Sequence, residues 1–118
     1  MASVLFISLL IFASCKNDEP SSNPLESTTW IGQEGGREYI FAFKASNFTL
    51  IEAILYTGGG SGVVSTDKGI YTYNDNEGLI TLTFESTDNP YVDLSIRPTK
   101  ATVAGQKLIY RGLVYTKQ

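Results

Sequence analysis

Residues 37–44 read REYIFAFK. Successive side chains of an extended chain point to opposite faces, so Tyr39, Phe41 and Phe43 share one side, while Glu38 and Lys44 share the other with Ile40 and Ala42. The period of two returns in GLITLTFES, residues 78–86, where Ile80, Leu82 and Phe84 form the inward set and Thr81, Thr83 and Glu85 lie opposite. It returns again in YVDLSIR, residues 91–97, with Val92, Leu94 and Ile96 inward and Tyr91, Asp93, Ser95 and Arg97 outward. Alternation of this kind predicts an antiparallel sheet with one dry face and one wet face.

Turn formers punctuate these runs at short intervals: Gly35-Gly36, 45–47, 57–62, 74–78, 88–90 and Ala104-Gly105. The spacing predicts an all-β fold, an antiparallel meander of about eight strands closed as a small barrel, with a β-sandwich as the alternative. SNFTLIEAILY, residues 46–56, fits either a strand or a short amphipathic helix carrying Phe48, Ile51, Glu52 and Leu55 on one face. Its β-branched and aromatic content, and the glycines that follow, favour the strand. A closed barrel of eight strands has an interior just large enough for side chains or one small ligand.

Upstream of the alternating region, residues 12–20 read FASCKNDEP and contain the chain's one cysteine. The apolar run from Val4 to Phe12 is far shorter than the roughly 20 residues that cross a bilayer as a helix. An apolar segment followed by small residues is instead the layout of a removable export signal. Phe12, Ala13, Ser14 and Cys15 together resemble the cleavage box of bacterial lipoproteins, which implies that Cys15 becomes the acylated first residue. On this reading residues 1–14 are the signal peptide, 15–27 the acylated cysteine with a solvated, proline-bearing tether, and 28–118 the barrel domain. The other reading of the same residues is a buried strand followed by a buried thiol. Each buried methylene contributes about 0.8 kcal/mol, so an anchor of two or three acyl chains would not release. Lys16, Asp18 and Glu19 resemble the short export signal that sends certain lipoproteins to the outer membrane and its cell-surface side. The alternative is the periplasmic face.

Trp30 near the start of the first strand, Y-x-F-x-F on the second, G-x-Y-x-Y at Gly69, Tyr71 and Tyr73, I-x-L-x-F at 80–84 and a closing strand ending in tyrosine are together similar to the small lipocalin-like, calycin-type barrel lipoproteins. In that family a tryptophan of the first strand packs across the closed end beneath an arginine of the last. The resemblance implies this plugging role for Trp30 and for Arg111, in LIYRGLVY, through a cation–π contact. Thr28 stands where the family has glycine.

Composition narrows the chemistry. Histidine is absent, and acylation of Cys15 removes the one thiol, which excludes disulfides, thiolate nucleophiles, zinc sites built on Cys or His and histidine acid/base catalysis. The nine basic residues are scattered from Lys16 to Lys117 without the clustering that neutralises phosphates, so no nucleic-acid partner is expected. No cofactor, metal site or catalytic residue is assigned, and the expectation is a protein that is not an enzyme. GGGSG, residues 58–62, lacks the lysine and helix of a phosphate loop and reads as a hairpin loop. STDK, residues 65–68, matches S-x-x-K without its companion motifs. NDNEG, residues 74–78, falls short of calcium-loop spacing and reads as a turn. Glu38, Glu52, Glu85 and Asp93 can act as paired carboxylates only if the fold brings two together.

The seven tyrosines are the most suggestive feature, because an aromatic ring with a polar tip lines pockets and stacks on sugars. Tyr71, Tyr73 and Tyr39 are the candidate ligand contacts, with core packing as the competing role. The expected partners are a membrane, through the acylated cysteine, and a small apolar or glycan-like ligand or an envelope protein. A structural lipoprotein with a solid core is the alternative, and nothing fixes an oligomeric state.

Overall fold

Eight antiparallel strands follow one another round the wall of a closed barrel in the computed structural model, which describes residues 23–118. They are β1 (Thr28–Glu34), β2 (Arg37–Phe43), β3 (Asn47–Leu55), β4 (Ser61–Asn74), β5 (Leu79–Thr87), β6 (Lys100–Ala104), β7 (Lys107–Tyr110) and β8 (Leu113–Lys117). The all-β meander closed as a barrel is therefore observed, the sandwich is not, and residues 46–56 supply a strand. Cys15, Lys16, Asp18 and Glu19 lie outside the described residues.

Closure rests on β1 against β8, where Trp30 pairs with Lys117 and Ile31 with Thr116. Cross-strand partners share a face, so the register propagates the inward set round the barrel. Phe41 opposes Leu50 and Phe43 opposes Phe48, while Tyr71 opposes Leu82 and Tyr73 opposes Ile80. Register shifts between Glu52 and Ala53 on β3, and between Lys68 and Gly69 on β4, bend the longest strand round the barrel. Gly69 sits at the second shift for a steric reason. A Cβ there would lie 2.0 Å from the Thr83 carbonyl oxygen and 2.9 Å from Phe48 Cε1.

The interior is aromatic and full. Phe41 stacks on Phe43 with ring centroids 5.5 Å apart, meets Tyr110 edge-on at 5.2 Å and touches Tyr115 at 5.3 Å. Phe48 packs edge-on against Phe84 at 4.9 Å, and Phe43 against Tyr71 at 5.0 Å. Leu50, Ile80, Leu82 and Leu108 complete the core. Each such ring pair adds about 0.5–1.5 kcal/mol beyond the area it buries.

Two expectations are corrected. Residues 91–97 are not a strand: they form an irregular connection with a single 3-10 turn at Leu94–Ile96, leaving Tyr91 94% and Ile96 76% exposed. Local side chains capture the backbone donors that a ladder needs. Asn89 accepts from the amide of Tyr91, and Asp93 accepts from both the amide and the hydroxyl of Ser95. Strand β6 instead follows the connection and pairs with β5 through Ile80 and Ala101. Leu25, assigned to the tether from sequence, is only 2% exposed and packs in the core, so the folded domain reaches upstream of Thr28. The hydroxyl of Thr28 donates to the carbonyl of Leu25 at 2.6 Å and holds this entry turn.

Candidate polar mouth of the barrel

The register that fills the middle of the barrel with rings places polar groups at one end. Gly32 opposes Tyr39, Tyr39 opposes Glu52 and Glu52 opposes Ser65, all on the inward face, with Leu50 opposite Asp67 one layer deeper. Tyr110, Arg111 and Tyr115 come to the same end from the β7–β8 hairpin, and Arg97 from the irregular 88–99 connection. The hydroxyl of Tyr110 donates to the carbonyl of Pro98 at 2.9 Å, which fixes that connection beside the arginine.

Charges at this mouth are paired in layers. Asp67 is 1% exposed, and its Oδ2 accepts from Arg97 Nη2 at 3.1 Å and Nε at 3.2 Å. A buried carboxylate without such a partner would be strongly disfavoured. Nearer solvent, Arg37 pairs with Glu52. The other oxygen of Asp67, Oδ1, is buried and has no hydrogen-bond partner among the described residues. Burial raises the Tyr110 hydroxyl to about 12, partly offset by Arg97 and Arg111, and burial also raises Tyr115, with Tyr110 and Tyr39 adding to the effect. Both phenols are therefore neutral hydrogen-bonding groups at physiological pH.

Arg111 has a backbone φ of 56° and Gly112 one of 78°. A two-residue hairpin turn with both φ values positive favours Asn-Gly, and an arginine at its first position is unusual. Asp67, Ser65 and Glu52 line an inner void of about 10 Å³. An outer pocket of about 70 Å³ is bounded by Glu34 and Leu113, and the two spaces share Tyr39, Tyr110, Arg111 and Tyr115 as walls.

The opposite end of the barrel carries an open groove of about 470 Å³ whose walls include Leu25, Trp30, Tyr73, Glu77 and Lys117. It is larger than either space at the mouth, and three of its walls, Trp30, Glu77 and Lys117, have partners. Trp30 Nε1 donates to Thr28 Oγ1 at 2.9 Å, Lys117 Nζ stands 5.9 Å over the Trp30 ring, and Asn74 Nδ2 donates to Glu77 Oε1 at 3.2 Å. The buried and unpartnered acceptor at the mouth makes that end the better candidate site.

The residues singled out from sequence are dispersed over this frame. Tyr39 lies at the mouth. Tyr71 is buried near the other end, where its hydroxyl accepts from Asn23 Nδ2 at 2.7 Å and donates to the carbonyl of Lys44. Burial raises its pKa. Tyr73 borders the groove, its pKa raised by burial and then by Asp75. The cation over Trp30 is Lys117 rather than Arg111, because Trp30 pairs with the end of β8 whereas Arg111 occupies the turn before β8 begins. Of the four carboxylates considered, Glu52 faces inward; Glu38 accepts from Gln33, Glu85 is exposed and Asp93 caps the 3-10 turn, so they do not converge. Ser65 and Lys68 point to opposite faces of β4, GGGSG closes the β3–β4 hairpin and NDNEG the β4–β5 hairpin. Asp67, Arg97, Tyr110 and Tyr115 were not selected from sequence. For Asp67 the signal was present: extending the phase of Tyr71 and Tyr73 backward puts residues 69, 67 and 65 on the inward face.

Comparisons of the chain with protein-family models, with curated proteins and with solved structures find no match in any of the three.

Proposed function

We propose that this chain is a non-enzymatic, lipid-tethered recognition module of the cell envelope, in which a solid barrel meets a glycan-like ligand at its polar mouth. The observation that carries the reading is the filled interior. Ligand cavities usually run to about 300–1,000 Å³, whereas the inner void here is about 10 Å³. A fatty acid or sterol has no room among Phe41, Phe48, Tyr110 and Tyr115. Among the remaining spaces the mouth holds the buried, unpartnered acceptor of Asp67, and its amphipathic tyrosines, fixed carboxylates and Arg111 are a set of groups suited to hydroxyl-rich molecules. Cys15 with its flanking small residues supports the tether, and Lys16, Asp18 and Glu19 support an outer-membrane, surface-facing location with the periplasmic face as the alternative.

A protein partner is the second reading. Tyr91, Ile96 and Val63 are all well exposed on or beside the 88–99 connection, and Asn89 ties that connection to the carbonyl of Val64 at 3.1 Å.

Two measurements test the proposal. Mass spectrometry of the protein from native membranes is expected to give a chain beginning at an acylated Cys15, and an intact leader with a bare thiol would refute the tether. Thermal-shift screening is expected to show stabilisation by mono- or oligosaccharides and none by fatty acids or sterols. A ligand at 100 times its Kd adds about 2.7 kcal/mol. Stabilisation by a fatty acid alone would contradict the reading, and stabilisation only by a protein partner would favour the second.

A further inference from the structure

We infer that Asp67 Oδ1 is the anchoring acceptor of this site and that it receives a single hydroxyl donated by a sugar or polyol bound at the mouth. The inference rests on the glycan-binding reading and deepens it. Asp67 is 1% exposed, Arg97 engages only its Oδ2, and Oδ1 has no partner among the described residues. A buried acceptor left in this way is costly, the more so when it is charged, so a donor that reaches it is strongly favoured.

The size of the space selects the donor. About 10 Å³ admits one water-sized group, which a hydroxyl matches and a guanidinium or a ring does not. Charge selects it too. Arg97 and Arg111 face Glu34, Glu52 and Asp67 around the two spaces, and Arg37, outside both, pairs with Glu52, a formally balanced set that calls for a neutral donor rather than an added cation. Ser65, buried beside Asp67, supplies a second polar wall. The rest of the ligand lies in the outer pocket of about 70 Å³ and beyond it in solvent, against Tyr39, Tyr115 and Arg111.

The test uses the full chain in a phosphocholine detergent, because a maltoside would itself present sugar hydroxyls. Glucose, galactose, mannose, N-acetylglucosamine and glycerol are titrated while the side-chain carboxyl carbon of Asp67 and the Nε–H of Arg97 are followed by NMR. A saturable shift of both signals with at least one sugar is expected. Among the monodeoxy analogues of that sugar, one should lose tenfold or more in affinity while the others change little, as expected for loss of one hydrogen bond to a charged acceptor. A sugar that binds while leaving Asp67 unmoved, or whose deoxy analogues all bind alike, overturns the inference and leaves the glycan reading standing. Absence of any saturable shift anywhere in the chain overturns both. The deoxy series needs no variant, so the result does not depend on whether Asp67→Asn folds.

Discussion

Asp67 and Arg97 lie 30 positions apart in the chain and meet inside the barrel, where two guanidinium nitrogens converge on one carboxylate oxygen. Arg97 keeps some contact with solvent and Asp67 has almost none, so the two halves of the pair are not equivalent. Arg97→Ala leaves a buried carboxylate without its counter-charge and is expected to cost about 3–5 kcal/mol in urea denaturation. Replacing both residues by apolar side chains of similar volume, as in Asp67→Leu with Arg97→Met, is expected to recover most of that loss. Equal, small losses for Arg97→Ala and the double variant would show that the pair is not buried.

Tyr110 and Tyr115 set the alkaline limit of stability. The folded pKa of Tyr110, about 12, lies above the ordinary 10, so the native state holds its proton more tightly than the unfolded chain. Stability from this group is fully present below pH 10 and is lost as pH rises through 12. The loss is on the order of 2 kcal/mol for Tyr110 alone, and Tyr115, raised by the same burial, adds to it. Absorbance of tyrosinate is expected to show a rise above pH 10 that accompanies unfolding. In a Tyr110→Phe, Tyr115→Phe chain that rise should shrink, with Tyr71 and Tyr73, which burial also raises, still contributing.

Gly69→Ala tests the steric reason for the glycine on β4. The new methyl has backbone in its way, the Thr83 carbonyl oxygen at 2.0 Å, so the strands must separate locally. A loss of about 2–4 kcal/mol is expected by chemical denaturation, at the upper end of what overpacking costs. Gly58→Ala, in the open β3–β4 loop where a Cβ meets nothing within 4 Å, serves as the control and should change stability by less than about 1 kcal/mol.

Tyr71→Phe removes a hydroxyl that links the entry segment to the β2–β3 turn. Its bonds to Asn23 and to the Lys44 carbonyl are each worth about 1 kcal/mol. Faster amide exchange is expected in residues 25–28 and 44–47, with the core strands unchanged. Unaltered exchange in those two segments would mean that the link is unimportant.

Much of the barrel was legible in the sequence because period-two runs such as REYIFAFK and GLITLTFES state which side chains face inward, and the glycine-bearing turns between them state where the chain reverses. YVDLSIR carried the same period and is not a strand, since Asp93 and Asn89 bond their own neighbours' backbone and Pro98 follows at once. Alternation reports which side chains lie together only if the backbone is extended, and short polar side chains decide that locally. Of the candidate site, Tyr39 was legible as an inward aromatic. Asp67 and Arg97 were not recognised as a pair, because the contact is made across the barrel end by a connection whose path no periodicity encodes. The tether boundary was placed too late because Leu25 is isolated among turn formers, where a single apolar residue gives no pattern.

The central claim is that the barrel is closed and filled, so that recognition happens at its mouth. Nuclear Overhauser spectroscopy of the aromatic protons tests it most directly. Ring-to-ring contacts from Phe41 to both Tyr110 and Tyr115 are predicted, with a backbone contact between Trp30 and Lys117 closing the wall. Water contacts to the Phe41 ring in place of those to the tyrosines would reveal a hollow interior and contradict the account.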